Sequence, residues 1–224
     1  MEKVIYLLLA GLLGYLFGAI PFGYIYVKTF KGIDITRYGS GRTGGTNSYR
    51  AAGLWVGVLT AFSDVIKGFA GIWLTRALFS SALGETWLPW AIAVAGVMAV
   101  VGHNWSIFLK WSGGAGTGPN VGWAAAIWWP MFPIGFLVMG ALLLLIGMAS
   151  IASLAMAAVV PILFAVLYFA GIPGYDGTLA YTIGGIVAAA IIAWALRPNI
   201  KRVLDGTERI VGPRARAAAR RKQA

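Results

Sequence analysis

The sequence predicts an all-α, polytopic membrane protein of about seven transmembrane helices, with the N-terminus outside and the C-terminus in the cytoplasm. Three observations carry this reading. The chain is 59% hydrophobic and only 11% charged, with a mean hydropathy of +0.79, whereas soluble domains carry about 25% charged residues. Several apolar runs reach the roughly 20 residues that a helix needs to cross a bilayer. The cations are also unevenly placed, concentrated after residue 196 and in two loops, as orientation signals are. A net charge of +11 could signal nucleic-acid binding, but this distribution favours membrane topology. The chain has no cysteine and a single histidine, which excludes disulfide and thiol chemistry and argues against a His/Cys/Asp/Glu metal site.

The elements follow in order. Val4 to about Phe30 forms a first span, retained and not cleaved as a signal peptide. Pro21 is placed to kink it, and Gly14-x-x-x-Gly18 suits ordinary close packing of small residues. Lys31 to Gly53 is a polar loop. Leu54 to about Phe79 is a second span that carries Asp64, Lys67 and Arg76. A short link, Ser80–Thr86, leads to a third span, Trp87–Leu109, and then to a glycine-rich loop, Lys110–Pro119. Val121–Ala170 is almost wholly apolar, broken near Pro130, Pro133 and Gly147–Ser150. Gly171–Gly177, with Asp176, links to a last span, Thr178–Leu196, and a basic tail. Loops 31–53 and 110–119 and the tail carry cations and are placed in the cytoplasm; links 80–86 and 171–177 carry none and are placed outside. An odd number of crossings is then needed between residues 120 and 171. One crossing would be far too long at 1.5 Å per residue, so three are expected, two of them short or oblique. Most of the tryptophans fall near predicted span ends, where they anchor helices at the interface.

The most informative stretch is Arg37-Tyr38-Gly39-Ser40-Gly41-Arg42-Thr43-Gly44-Gly45-Thr46-Asn47-Ser48-Tyr49-Arg50. It is polar, cationic and free of acids. Its glycines let backbone approach a ligand. Arg37, Arg42 and Arg50 offer forked donors, and Ser40, Thr46 and Asn47 offer hydroxyl and amide groups. Together they describe an anion cradle, suited to phosphate. Gly113, Gly114 and Gly116, followed by Thr117 at a helix start, could present N–H groups to an anion; a plain flexible loop explains them equally. Arg197 to Glu208 contains Asn199, Lys201 and Arg202, readable as stop-transfer charge and an amphipathic interfacial helix. Asp64 and Lys67 stand on one helix face and fit a structural ion pair near the interface, because charges within a span must be paired or face a cavity. His103, near the cytoplasmic end of its span, could donate a hydrogen bond to an oxyanion.

These residues resemble the bacterial acyl-phosphate-dependent glycerol-3-phosphate acyltransferases. The first block is Ser40-Gly41-x-x-Gly44-x-Thr46-Asn47-x-x-Arg50 with Asp64-Val65-x-Lys67-Gly68. The second is Gly102-His103 with Gly113-Gly114-x-Gly116, and the third is Asn199-Ile200-x-Arg202 with Gly206-x-Glu208. The resemblance implies a seven-helix integral membrane enzyme over residues 1–208, with a basic cytoplasmic tail at 209–224. It implies transfer of a fatty acyl group from acyl phosphate to the sn-1 hydroxyl of glycerol 3-phosphate, giving lysophosphatidate for phospholipid biosynthesis, in the cell membrane with the active site facing the cytoplasm. No metal or cofactor is expected, and no nucleic-acid partner; the sequence carries no signal for oligomeric state. Ser40, Thr46, Asn47, Arg50, His103 and Asn199 are the candidate catalytic residues. Gly41, Arg42, Gly44, Arg50, Gly113, Gly114, Gly116, Thr117 and Arg202 are candidates for holding phosphate, with Asp64, Lys67 and Glu208 in support.

Three positions depart from the family pattern. Ala115 stands where the family has a lysine, Arg42 where it has an asparagine, and Leu196 where a histidine is common. Arg42 is expected to replace the missing lysine charge from the other loop. The residue five after His103 is Phe108, so a His-x-x-x-x-Asp base is not expected. Competing readings are a transporter or channel for a phosphorylated solute, with broken helices in 121–150, and a diverged acyltransferase with another donor or acceptor. The tail cations suit attraction to anionic headgroups, about 1 kcal/mol each.

Overall fold

The structure, a computed structural model, describes residues 1–172, 175, 178–212 and 214–215. Asp176 and most of the basic tail, residues 216–224, lie outside the described residues. The described chain is helical, with one isolated antiparallel bridge between Ser106 and Ser112. The helices are α1 (Glu2–Ala19), α2 (Phe22–Lys31), α3 (Gly45–Ala52), α4 (Leu54–Asn104), α5 (Thr117–Ile127), α6 (Met131–Leu145), α7 (Ala149–Ala170), α8 (Leu179–Ala195) and α9 (Arg197–Leu204).

The expected first span is broken at Ile20–Pro21, where the chain leaves helical backbone before α2 begins. The break frees carbonyls, and both find distant donors. The Ser106 hydroxyl donates to the Ala19 carbonyl at 2.6 Å, and Lys67 Nζ to the Ile20 carbonyl at 2.8 Å.

α4 has 51 residues, about 76 Å of helix at 1.5 Å per residue, more than twice a hydrocarbon core of roughly 30 Å. It is not straight. Gly84 adopts φ 61, ψ −174 inside it, and α1 touches both arms. Phe79 packs on Tyr6 at 5.5 Å between ring centroids, Gly71 faces Gly14 and Phe17, and Ala95 and Ala99 lie against Gly14 and Gly18. The arms 54–83 and 85–104 therefore fold back on each other beside α1. The expected Ser80–Thr86 link shrinks to one residue, because glycine alone takes a left-handed φ without strain.

Two further boundaries differ from expectation, and the breaks in a third region fall where they were expected. The third span stops at Asn104, not Leu109; the Ser106 hydroxyl accepts the Phe108 N–H at 3.2 Å and starts a short 3-10 turn, Ile107–Leu109. The loop 31–53 contains α3, which begins after an extended Gly44 and ends at Gly53 with φ 90. The apolar stretch 121–170 breaks at Trp128–Pro130 and Ile146–Met148, close to the prolines and Gly147 that suggested it, giving helices of 11, 15 and 22 residues. By length and hydropathy, residues 2–31, 54–104 and 149–170 can each cross a membrane. A fourth crossing is added when α8 and α9, bent by 63°, count together.

The core lies between α4, α5, α7 and α8. Trp123 is fully buried, 5.2 Å from the Phe164 ring, with Tyr181 5.9 Å beyond. Leu8, Trp73, Leu137 and Phe169 face outward, as side chains bathed in lipid do. Lys3, bonded to the Ala82 carbonyl, and the Gly84 turn mark one end of the bundle. The opposite end gathers the Ile20–Pro21 break, the cradle loop, residues 104–117 and the junction of α8 with α9.

Candidate active site

The cradle loop is held in shape by Asn47, which is 2% exposed. Its Oδ1 accepts the Ser40 N–H at 3.1 Å, while its Nδ2 donates to the Tyr38 and Arg42 carbonyls, both at 2.9 Å. A buried amide so fully used is a brace for the turn. Gly39 and Gly41 take φ 57 and 72 within that turn. The loop then enters α3, which carries Thr46 in its first turn and Arg50 in its last.

Arg42 crosses to the other two motif segments. Its Nη1 donates to the Gly114 carbonyl at 2.8 Å, and its Nη2 to the Ala195 carbonyl at 2.5 Å and Asn199 Oδ1 at 3.2 Å. Thr43 N–H adds a bond to the Gly113 carbonyl at 3.3 Å. Burial, then the nearby Arg202, pulls the Arg42 guanidinium below its ordinary value, with Glu208 offsetting part of that; an arginine remains charged under such shifts.

Gly113, Gly114 and Gly116 of the second loop do not reach into the cavity. Gly114 N–H is spent on the His103 carbonyl at 2.9 Å, and a Cβ on Gly114 would fall within the His103 ring. Gly113 likewise lies against the His103 and Asn104 carbonyls. These glycines let backbone and imidazole touch, and their carbonyls receive the first loop. Thr117, at the start of α5, does line the cavity, with its hydroxyl enclosed and unpartnered.

The third segment is organised by Glu208. Its Oε1 accepts from Ser150 Oγ and Asn199 Nδ2, both at 2.9 Å, and its Oε2 accepts from Arg202 Nε at 2.8 Å. Burial pushes the carboxyl up, but the bonds from Asn199, Ser150 and Arg202 hold it below its usual range. Val211 N–H then bonds the Gly147 carbonyl at 2.8 Å, so residues 208–212 pack under the start of α7.

Asp64, Lys67 and His103 form a buried group, each 5% exposed or less. Lys67 Nζ lies 2.8 Å from Asp64 Oδ1 and 2.9 Å from His103 Nδ1, so the expected ion pair is present and extends to the histidine.

One cavity of about 680 Å³ joins these parts. Its polar end is lined by Ser40, Arg42, Thr46, Arg50, Asn199 and Glu208, with His103, Asp64 and Thr117 beside them. Its other end is an apolar groove between the first arm of α4 (Leu54, Val58, Ala61) and α6 (Phe136, Met139, Leu143). The family model described as glycerol-3-phosphate acyltransferase matches residues 8–206.

The chain belongs to the glycerol-3-phosphate acyltransferase family.

Glycerol-3-phosphate acyltransferases similar to it include one from Gloeobacter violaceus, 35% identical over 88% of this chain and 91% of its own length. Another is glycerol-3-phosphate acyltransferase 2 from Moorella thermoacetica, 37% identical over 93% and 99%. The fold is similar to the crystal structure of PlsY, an integral membrane glycerol 3-phosphate acyltransferase, in its glycerol 3-phosphate form. That match has a TM-score of 0.74 at 30% identity, covering 95% of this chain and 96% of that one. The lysophosphatidic acid form matches with a TM-score of 0.72.

The structure brings most of the sequence-chosen residues to one place. Gly44 and Asn47 line the cavity with the residues above, whereas Gly41, Gly113, Gly114, Gly116, Lys67 and Arg202 are not on its wall. Arg202, expected as a phosphate clamp, is bound to Glu208. Its place beside Arg50 is taken by Arg209, which sequence reasoning assigned to the tail and which lies just past the family match. Arg50 is half-buried, and burial, then Arg209, lowers its ordinary value while Glu208 partly offsets this. Ser150, in the first turn of α7, was also missed; its only sequence signal was the break expected at Gly147–Ser150. Among the described residues no group of His, Asp or Glu could hold a metal.

Proposed function

We propose that this chain is an integral membrane acyltransferase. It moves a fatty acyl group from acyl phosphate to the sn-1 hydroxyl of glycerol 3-phosphate, giving lysophosphatidate and phosphate. The observation that carries this reading is the two-ended cavity. One end offers cations, hydroxyls and the N-terminus of α5 to phosphate oxygens; the other offers a groove of the chemistry of an acyl chain.

Acyl phosphate is already activated, so the site need mainly hold two anions and stabilise developing charge. The glycerol hydroxyl oxygen forms the new bond to the acyl carbon. The bond from that carbon to the phosphate oxygen breaks, and its electron pair leaves with phosphate. The hydroxyl proton passes to a phosphate oxygen. Arg50, with Arg209, binds phosphate; Ser40, Thr46 and Thr117 position substrate oxygens. Arg42 stands in for the lysine that Ala115 lacks, while Asn47, Asn199 and Glu208 hold the loops. The reading includes seven crossings: α1, the two arms of α4, α5, α6, α7 and α8. It places the cavity's polar end in the cytoplasm of a cell-membrane protein, with residues 209–224 beginning as part of the site and continuing as a basic tail.

Purified protein in detergent, given acyl phosphate and glycerol 3-phosphate, is expected to release phosphate and form lysophosphatidate without vesicles. An acyl thioester donor is expected to give none. Turnover with the thioester alone would overturn the donor assignment, and solute movement into vesicles without product would favour a transporter.

A further inference from the structure

His103 can face the cavity in two tautomers, and its neighbours select one. Its Nδ1 lies 2.9 Å from Lys67 Nζ. Lys67 makes an ion-pair contact with Asp64 Oδ1 at 2.8 Å and donates to the Ile20 carbonyl at 2.8 Å. An ammonium group has donors and no acceptor, so the nitrogen facing it must supply the lone pair. Asp64 Oδ1 is 3.6 Å from Nδ1, beyond hydrogen-bond reach, and does not compete. The ring proton then resides on Nε2. That edge lies over Gly114, where no Cβ intervenes, and His103 forms part of the cavity wall beside Arg42 and Thr117.

We infer that Lys67 is a positioning residue that fixes His103 in its Nε2–H form, so that the ring gives the cavity a hydrogen-bond donor and no base. The ligand atom it takes is an anionic oxygen of a phosphorylated substrate or of the acyl group in transfer; this clause rests on the acyl-transfer reading. The helix break at Pro21 contributes directly, because it frees the Ile20 carbonyl that holds Lys67 in place. Lys67 is 2% and His103 5% exposed, so water does not compete for these bonds.

The chain contains one histidine, which makes the tautomer directly readable. In ¹⁵N-histidine-labelled full-length protein in detergent, Nε2 is expected at a pyrrole-type shift with an attached proton and Nδ1 at a pyridine-type shift. A proton on Nδ1, or an averaged pair of shifts, overturns the inference. Both are read without substrate, so acyl transfer could fail while the tautomer stands, and the reverse. In Lys67→Met the single tautomer should be lost. If that variant does not fold, the wild-type spectrum still decides. His103→Gln, whose amide N–H reaches toward the Nε2 position, should retain kcat better than His103→Leu by about 10- to 100-fold, as for one bond to a charged group. Equal kcat for the two variants and the wild type overturns the donor role. Inorganic phosphate that moves the Nε2–H signal assigns the oxygen to bound phosphate. No movement, with kcat lost in His103→Leu, assigns it to the transferring acyl group.

Discussion

The two glycine-rich loops look alike in sequence and are built on different physics. In the first loop, Gly39 and Gly41 sit at positive φ and make a turn that Asn47 braces from inside. In the second, Gly113 and Gly114 need no unusual φ; they lack a Cβ because His103 and Asn104 occupy that space. The first loop sends side chains to the cavity and to the other segments. The second sends mostly backbone, receiving Arg42 on Gly114 and Thr43 on Gly113. Glycine content alone therefore does not mark a phosphate cradle: one loop holds the other in position.

The largest effect that sharpens this contrast is expected at Gly114. Gly114→Ala would place a methyl inside the His103 ring, and because backbone and a buried ring must shift, turnover should fall by about 100-fold or more. A kinetic assay beside thermal unfolding would check it, and wild-type turnover would break the comparison.

Arg42→Asn comes next. It removes bonds to Gly114, Ala195 and Asn199 at once and any compensation for Ala115. At roughly 1.5–3 kcal/mol for a hydrogen bond to a charged group, a fall of about 10- to 100-fold in kcat/KM is expected. Unchanged activity would end the proposal that Arg42 stands in for the lysine.

Glu208 gives a pH-dependent test of how the third segment is tied in. Its folded value lies below the usual carboxylate range, so its stabilisation is full above the unfolded value of about 4.3 and is lost as pH falls through the lower folded value. The melting temperature should stay level from about pH 8 to 5 and drop below about pH 4. Glu208→Gln should melt lower at neutral pH, with a shallower acid limb. Parallel curves for both proteins would show that Glu208 does not hold the segment.

The smallest effect is expected at Gly41. Alanine there costs about 1–2 kcal/mol of left-handed strain, with the Thr36 carbonyl 3.0 Å from the new Cβ. A few degrees of melting temperature and less than tenfold in turnover should be lost. A larger loss than at Gly114 would reverse the ranking of the two loops.

Much of this was legible in the sequence. Apolar runs identified membrane helices because the bilayer imposes a length and a polarity on any span. Pro21, Pro130 and Gly147 marked real breaks because missing donors and freed backbone interrupt helices locally. Motif order and spacing identified the family, and the polar residues Arg42, Arg50, Asn199 and His103 indeed meet. The reversal between the second and third spans was legible at Ser80–Thr86, but its tightness was not: only the left-handed backbone of Gly84, with both arms seen against α1, shows that one residue makes the turn. Nor was the exchange of roles in which Arg202 pairs with Glu208 while Arg209 lines the cavity.

What the sequence determined by itself was class, family and the inventory of chemistry, because hydropathy, proline and glycine act over a few residues at a time. What only the tertiary structure decided was which polar atoms remain for a ligand. Asn47 and Gly114 spend theirs on the protein, Thr117 keeps its hydroxyl unpartnered and Arg50 keeps its guanidinium on the cavity wall. Asn47 and Gly114 are satisfied by near neighbours in sequence, but Arg42 is spent on Gly114, Ala195 and Asn199, 72, 153 and 157 residues along the chain, and valence filled across such separations follows proximity in space, which no local pattern encodes.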